Sequence, residues 1–336
     1  MSSRRGPLRN RIEALLVAIV FDPIGRMPRR LGLALLKGLG SFAFHVMAGR
    51  RAHARRRVQC TLGCTRAEAD RIVRGAFQTM AQNVLEADWV ARELRRRPLE
   101  ELVTIEGREH IDDALAAGHG VLAAGAHLGA WEAQAVVLGH VFKPVWAVAR
   151  PLDNPLLEQR AVVRRGQLLA GTLEKDGSAR KLMQLVRDGE IVGLLLDQNA
   201  GSKGVMLPFL GLPTRMHRAA GTMGARMGAK VVPTYMLRES AGRYRLVVEA
   251  PVSVPEGLSR EQTEREVVLA VSHSLERQVL AHPEQWLWLH DRWHSAEVVL
   301  FHEREARAAG GREAGVPVPA GTPGGTNGAS QGTNGA

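Results

Sequence analysis

Beyond Pro98 the chain alternates short apolar runs with helical periods, and this alternation narrows the possible folds more than any other feature of the sequence. Runs of strand character lie at residues 103–105, 121–126, 145–149, 191–196 and 231–237. Between them, residues 111–117, 131–139, 156–170, 179–187 and 219–227 carry apolar side chains at helical spacing. Strands regularly separated by helices predict a mainly parallel sheet covered on both faces, with chemistry at the carboxyl ends of the strands. Residues 245–249 are expected to add an antiparallel strand, and 261–282 a further long helix. Upstream, Ile72, Ala76, Phe77, Met80, Val84 and Leu85 recur at threes and fours across residues 66–94. The expected class is α/β, a mainly parallel sheet flanked by helices over residues 99–305, with 61–98 as a helical connector packed on it. A chain of 336 residues that is 45% hydrophobic can bury such a core in one large domain or two small ones.

The formal net charge of +11 is concentrated rather than spread. Residues 1–60 hold thirteen Lys and Arg against Glu13 and Asp22, which accounts for the whole excess. These basic residues are interleaved with apolar runs at 14–21 and 31–48, not with the aromatics that stack on bases, so nucleic acid is not the expected partner. An anionic membrane surface fits better, through apolar insertion and about 1 kcal/mol per basic residue near it. Lys37 lies near the middle of the longer run, where insertion costs about 2.5 to 3.5 kcal/mol, so a tightly bound or re-entrant helix pair is expected rather than a full span. No small-residue cleavage site follows a short apolar core, which argues against a cleaved signal peptide.

Candidate chemistry begins at the end of the run 121–126. His127 and Glu132 form a His-x4-Glu pair where a strand gives way to a helix, with Gly129 and Ala130 between. An imidazole held by a carboxylate takes a proton from a hydroxyl, which is general base chemistry. Glu132 is expected to hold the tautomer and stabilise the imidazolium; it would equally suit the first turn of a helix for structural reasons. Asp197 ends another apolar run, where an unpartnered carboxylate is costly to bury, so it is expected to face a cleft, with Gln198 beside it as hydrogen-bonding support. The segment 199–201 reads as a loop able to close over substrate. Arg150 follows a strand directly, and Arg164 shares a helix face with Arg160; each is either a bidentate anion ligand or a solvated helix charge.

These residues sit within five ordered motifs: His-x4-Glu; Arg-Pro-x-x-Asn-Pro from Arg150; Gly-Leu-Leu-Leu-Asp-Gln-Asn from Gly193; Pro-Phe-Leu-Gly-x-Pro from Pro208; and Pro-Glu-Gln-Trp-Leu-Trp-Leu-His-Asp-Arg-Trp from Pro283. Together they resemble the bacterial lipid A secondary acyltransferases, the lauroyl and myristoyl transferase family that also includes mycobacterial phosphatidylinositol mannoside acyltransferases. The resemblance covers residues 12–293. It implies a glycerolipid acyltransferase-like α/β fold with an N-terminal membrane-associated segment, on the cytoplasmic face of a bacterial inner membrane. It further implies transfer of a fatty acyl chain from acyl carrier protein or coenzyme A to a hydroxyl of a lipid acceptor, a lipid A precursor or related glycolipid. On the same scaffold the acceptor would alternatively be a lysophospholipid or mannoside, and a non-catalytic basic membrane-binding protein is the reading from another class. The catalytic set implied is His127, Glu132, Arg164 and Asp197, with Arg150, Asn154 and Gln198 on substrate and no cofactor or metal.

Trp286, Trp288 and Trp293 would pack as core or line an acyl groove, with core packing the better reading. His290 is too distant in sequence for a local assignment. Cys60 and Cys64 lack histidine partners at metal-ligand spacing and suit a reducing compartment. Residues 310–336, rich in Gly, Pro, Ala, Thr and Asn, cannot build a core and are expected to be disordered.

Overall fold

A computed structural model describes residues 6–174, 178–239 and 242–293. The proposed tail at 310–336, and the end of the expected domain at 294–305, lie outside the described residues.

The body of the protein is built on seven strands: β1 (Val103–Glu106), β2 (Val121–Gly125), β3 (Val145–Ala149), β4 (Gly171–Glu174), β5 (Ile191–Leu195), β8 (Lys230–Arg238) and β9 (Tyr244–Val248). They lie in the order β1-β9-β8-β2-β5-β3-β4. The five from β8 to β4 run parallel, β9 is antiparallel to β8, and β1 is parallel to β9. The sheet is therefore mainly parallel, as the alternation of runs predicts. Both faces are covered, which is why β2 is buried at all five positions. Val121 and Ala123 face a core shared with α4 (Arg66–Leu94), α5 (Glu109–Ala116) and α6 (Trp131–Val141). Leu122 and Ala124, on the opposite side of the pleat, face α8 (Ala179–Arg187), α9 (Ala219–Met227) and α10 (Arg260–Ala281).

Two elements went unread in the sequence. Strand β4, Gly-Thr-Leu-Glu at the sheet edge, follows α7 almost directly and has a single large apolar residue, so no strand pattern registered. The Pro-Phe-Leu-Gly-x-Pro motif folds as a separate hairpin of β6 (Val205–Phe209) and β7 (Leu212–Met216). Its tip, Leu210 and Gly211, has φ of 49° and 76°, the left-handed backbone that a two-residue hairpin turn demands.

Before the sheet come α1 (Pro7–Arg26), α2 (Arg29–Val46) and α3 (Ala48–Leu62), with α7 (Pro155–Leu168) later packing near α1. Helix α2 buries Arg29, Gly32, Leu36, Gly40 and Phe44, one residue per turn, against α4. The two glycines allow a close approach: a Cβ on Gly32 would stand 2.2 Å from the Trp89 ring, and one on Gly40 2.6 Å from Gln78 Cα. The outer face of α2 exposes Leu31, Leu35, Phe42 and Val46, and α1 exposes Leu8, Ile12, Leu15, Leu16 and Ile19. Among the described residues no single helix is long and apolar enough to cross a membrane. Helices α2 and α3, bent by 93° at their junction, meet that criterion only as a pair. Helix α4 starts with a reciprocal cap, in which Glu68 N–H donates to Thr65 Oγ1 (3.3 Å) and Thr65 N–H to Glu68 Oε2 (2.9 Å).

Candidate active site

Adjacent parallel strands β2 and β5 end side by side, Gly125 opposite Leu195, so the residues just beyond them meet. His127 Nδ1 lies 2.8 Å from Asp197 Oδ1, and the His127 backbone N–H donates to Asp197 Oδ2 (3.0 Å). A carboxylate only accepts, so Nδ1 carries the proton and Nε2 presents a lone pair. Gln198 Nε2 lies 3.4 Å from that Nε2, and the His127 side chain keeps 17% of its surface exposed. The sequence-predicted residues His127, Asp197 and Gln198 are thus brought together.

The turn that carries His127 is tightly specified. Gly129 has φ of 61°, and a Cβ there would stand 2.1 Å from the Met236 carbonyl oxygen. Its N–H donates to the Gln285 carbonyl (3.0 Å), while its own carbonyl accepts from Asn83 Nδ2 (2.9 Å). Asn83 Oδ1 in turn accepts from the Glu132 N–H at the start of α6 (3.3 Å).

Asp197, 3% exposed, is held from a third side by Trp286 Nε1–H at 2.9 Å. Burial alone would push its carboxyl pKa up, but the neighbouring His127, then the Arg292 cation and the Trp286 hydrogen bond, hold it well below the usual carboxylate range. Burial likewise pulls His127 down; the Asp197 charge and hydrogen bond, and more weakly the Glu132 charge, outweigh it and leave the pKa raised above 6.5. Arg292 is itself fully buried, lies 4.0 Å over the Phe209 ring, and is lowered to about 10 by burial against the opposing pull of Asp197 and Glu276.

The geometry gives the other sequence-predicted residues partners away from the imidazole. Glu132 is exposed and makes no hydrogen bond or ion pair with His127, so the carboxylate that fixes the tautomer is Asp197. Helical geometry sends Glu132 outward from the first turn of α6, leaving only its longer-range charge. Asn154 is buried and fully used: its Oδ1 caps α7 at Leu156 N–H (3.0 Å), and its Nδ2 donates to the Asn10 carbonyl (2.9 Å) and Glu13 (3.2 Å) on α1. Arg164 pairs with Asp88 (2.8 Å) and donates to the Val84 carbonyl, tying α7 to α4; none of its hydrogen bonds reaches His127. Arg150 is 75% exposed and pairs with Asp153 at 3.3 Å. The segment after Asp197 is pinned rather than free: Asn199 N–H donates to His290 Nε2 (3.1 Å), and Asn199 Nδ2 to the Arg292 carbonyl (2.9 Å).

Sequence reasoning missed Asn83, Trp286, His290 and Arg292 as neighbours of the pair. The last three stand in the motif at residues 283–293, and only sequence separation concealed their destination. Trp286, Trp288 and Trp293 are all buried together in the core below the site, and Trp286 additionally reaches Asp197. A signal for Asn83 did exist: Thr79, Asn83 and Glu86 form a polar row at spacings of four and three on an otherwise apolar helix face. Among the described residues no cluster of three or more His, Cys, Asp and Glu side chains is arranged to hold a metal ion.

An α/β sheet with an imidazole–carboxylate pair at the ends of adjacent strands defines the class, and the sequence places it more narrowly. Residues 6–295 match the family described as bacterial lipid A biosynthesis acyltransferase, and the chain belongs to that family. It is similar to a phosphatidylinositol mannoside acyltransferase of Mycobacterium tuberculosis, 28% identical over 193 residues, covering 56% of this chain and 59% of that protein. It is also similar to the lipid A biosynthesis palmitoleoyltransferase of Escherichia coli K12, 23% identical across 77% of this chain and 84% of the relative. A lipid A biosynthesis acyltransferase of Haemophilus influenzae is 23% identical over 78% of this chain and 81% of its own length.

Proposed function

We propose that the protein is an O-acyltransferase of the cytoplasmic face of a bacterial inner membrane. It moves a fatty acyl chain from a thioester of acyl carrier protein or coenzyme A to a hydroxyl of a lipid A precursor or related glycolipid. The observation that carries this reading is the His127–Asp197 pair, with Nδ1 occupied by the carboxylate and Nε2 left to face the Gln198 amide. His127 Nε2 takes the proton of the acceptor hydroxyl as its oxygen bonds to the thioester carbonyl carbon. Asp197, already anionic, stabilises the imidazolium so formed. Collapse of the tetrahedral intermediate breaks the C–S bond, and the leaving thiolate receives the proton back from His127. The Gln198 amide lies 3.4 Å from Nε2 and is assigned to orienting the acceptor or the developing oxyanion. Glu132 contributes charge, not a contact.

Membrane attachment is assigned to residues 1–60, on the basis of their concentrated positive charge and the apolar faces that α1 and α2 leave exposed. A second acceptor class, mannoside or lysophospholipid, is kept because the mycobacterial relative carries a mannoside acyltransferase name. Purified protein offered each acceptor with acyl-carrier-protein and coenzyme A thioesters, alongside mass spectrometry of lipids from cells with and without it, distinguishes the acceptors. His127→Ala is expected to lower turnover by about 10²-fold or more while leaving vesicle binding intact. Near-normal turnover by this variant would remove the central claim.

A further inference from the structure

A cleft of about 430 Å³ lies between α2, α4 and the facing ends of β8 and β9, lined by side chains other than those of the His127–Asp197 pair. Its acids are already committed. Glu86, fully buried, is bonded to Arg238 Nε (2.9 Å) and accepts from the Tyr244 hydroxyl (2.8 Å), while Glu239 pairs with Arg245 at 3.1 Å. Its remaining cations are not committed in this way. Arg29, 7% exposed, donates Nη1 to the Gly242 carbonyl (2.6 Å), and its buried Nε has no partner among the described residues. Arg30 and Lys37, two turns apart on the same face of α2, make no side-chain hydrogen bond or ion pair among the described residues. Arg243 spends one nitrogen on the Glu100 carbonyl (2.8 Å). Helix α2 also begins here with no side-chain cap and no acid in its first turn, so its free amides add positive potential.

We propose that this cleft is a second binding site, for a phosphate group. Several guanidinium and ammonium donors converging on one space, with no uncommitted carboxylate, suit a multiply charged tetrahedral oxyanion better than a single carboxylate. Helix α2, which lines the cleft, also exposes Leu31 and Leu35; the same phosphate chemistry is offered by a lipid headgroup and by a free phosphate compound. The inference is independent of the role given to His127.

The test uses the full-length protein and two readouts. Flotation compares phosphatidylcholine vesicles containing phosphatidic acid, a phosphomonoester, with vesicles containing phosphatidylglycerol, a diester, at matched surface charge. Preference for phosphatidic acid by about fivefold or more is expected. It should be lost in the double variant Arg30→Gln/Lys37→Gln, whose sites are exposed and tolerate substitution. It should persist in Arg9→Gln/Arg11→Gln, which removes the same charge from α1. Thermal melting compares inorganic phosphate with chloride at equal ionic strength. A rise in Tm that vanishes in the Arg30→Gln/Lys37→Gln protein identifies free phosphate as sufficient, whereas flotation preference without that rise identifies the lipid headgroup. Binding that follows surface charge alone, with no phosphate effect on melting, overturns the proposal, as does a response that survives the cleft substitutions.

Discussion

At Asp197 three donors converge: the ring and the backbone N–H of His127, and the indole of Trp286. That convergence gives the two carboxylates of the site different weights. Asp197→Asn removes the charge that raises His127 and turns one of the two accepting oxygens into a donor, while burial, which lowers it, stays. Because a general base works only when deprotonated, activity of the wild type should fall as pH drops through a value above 6.5. In Asp197→Asn that acid limb should move to lower pH while the plateau rate drops by about 10²-fold. Glu132→Gln should move the limb in the same direction by less and cost much less rate, since no hydrogen bond is lost. Profiles of kcat/KM against pH for the three proteins decide this; equal losses for the two variants would mean that Glu132 approaches the imidazole during turnover. His127 stood out in the sequence because an apolar strand leads into it, two small residues follow, and further polar segments succeed it in order. Its true carboxylate partner was ambiguous, because Glu132 is near in sequence and Asp197 is near in space.

Helix α7 shows how an element can carry motif residues and yet serve architecture. Asn154 supplies its N-cap and reaches α1, while Arg164 reaches α4, so two polar side chains dock one helix onto two others. Asn154→Ala should therefore cost about 1 to 2 kcal/mol of stability from the lost cap, seen as a lower midpoint in denaturant. Activity per folded molecule should remain close to wild type; a large rise in KM without a change in stability would return Asn154 to the substrate site. The sequence could not separate these roles, since an Asn-Pro step reads equally as a capped helix start and as a binding motif. Strands and helices were more legible: β2 and β5 are apolar on both sides of the pleat, and that pattern survives without knowledge of partners. The β6–β7 hairpin was hidden because its turn is Leu-Gly rather than a pair such as Asn-Gly.

Across the whole molecule, the first sixty residues are joined to the site and not merely to its surroundings. Arg57 on α3 donates to the carbonyls of Trp288 and His290, each at 3.2 Å, and pairs with Asp291 at 2.9 Å. Deleting residues 1–60 should then abolish activity even on substrate dispersed in detergent, in addition to releasing or aggregating the protein. High salt alone should extract little full-length protein from membranes, because apolar insertion is not screened. Fractionation by sedimentation in salt, and turnover in micelles, measure the two effects separately. The clamp formed by Trp286, His290 and Arg292 on residues 197–199 also imposes an order on biosynthesis. Synthesis from the amino end delivers α1 and α2 well before this clamp, so a nascent chain presents its basic, apolar helices before Asp197 has its full set of partners. Arrival at the target surface can thus precede reactivity, and a chain interrupted before Trp286 would be localised yet inert.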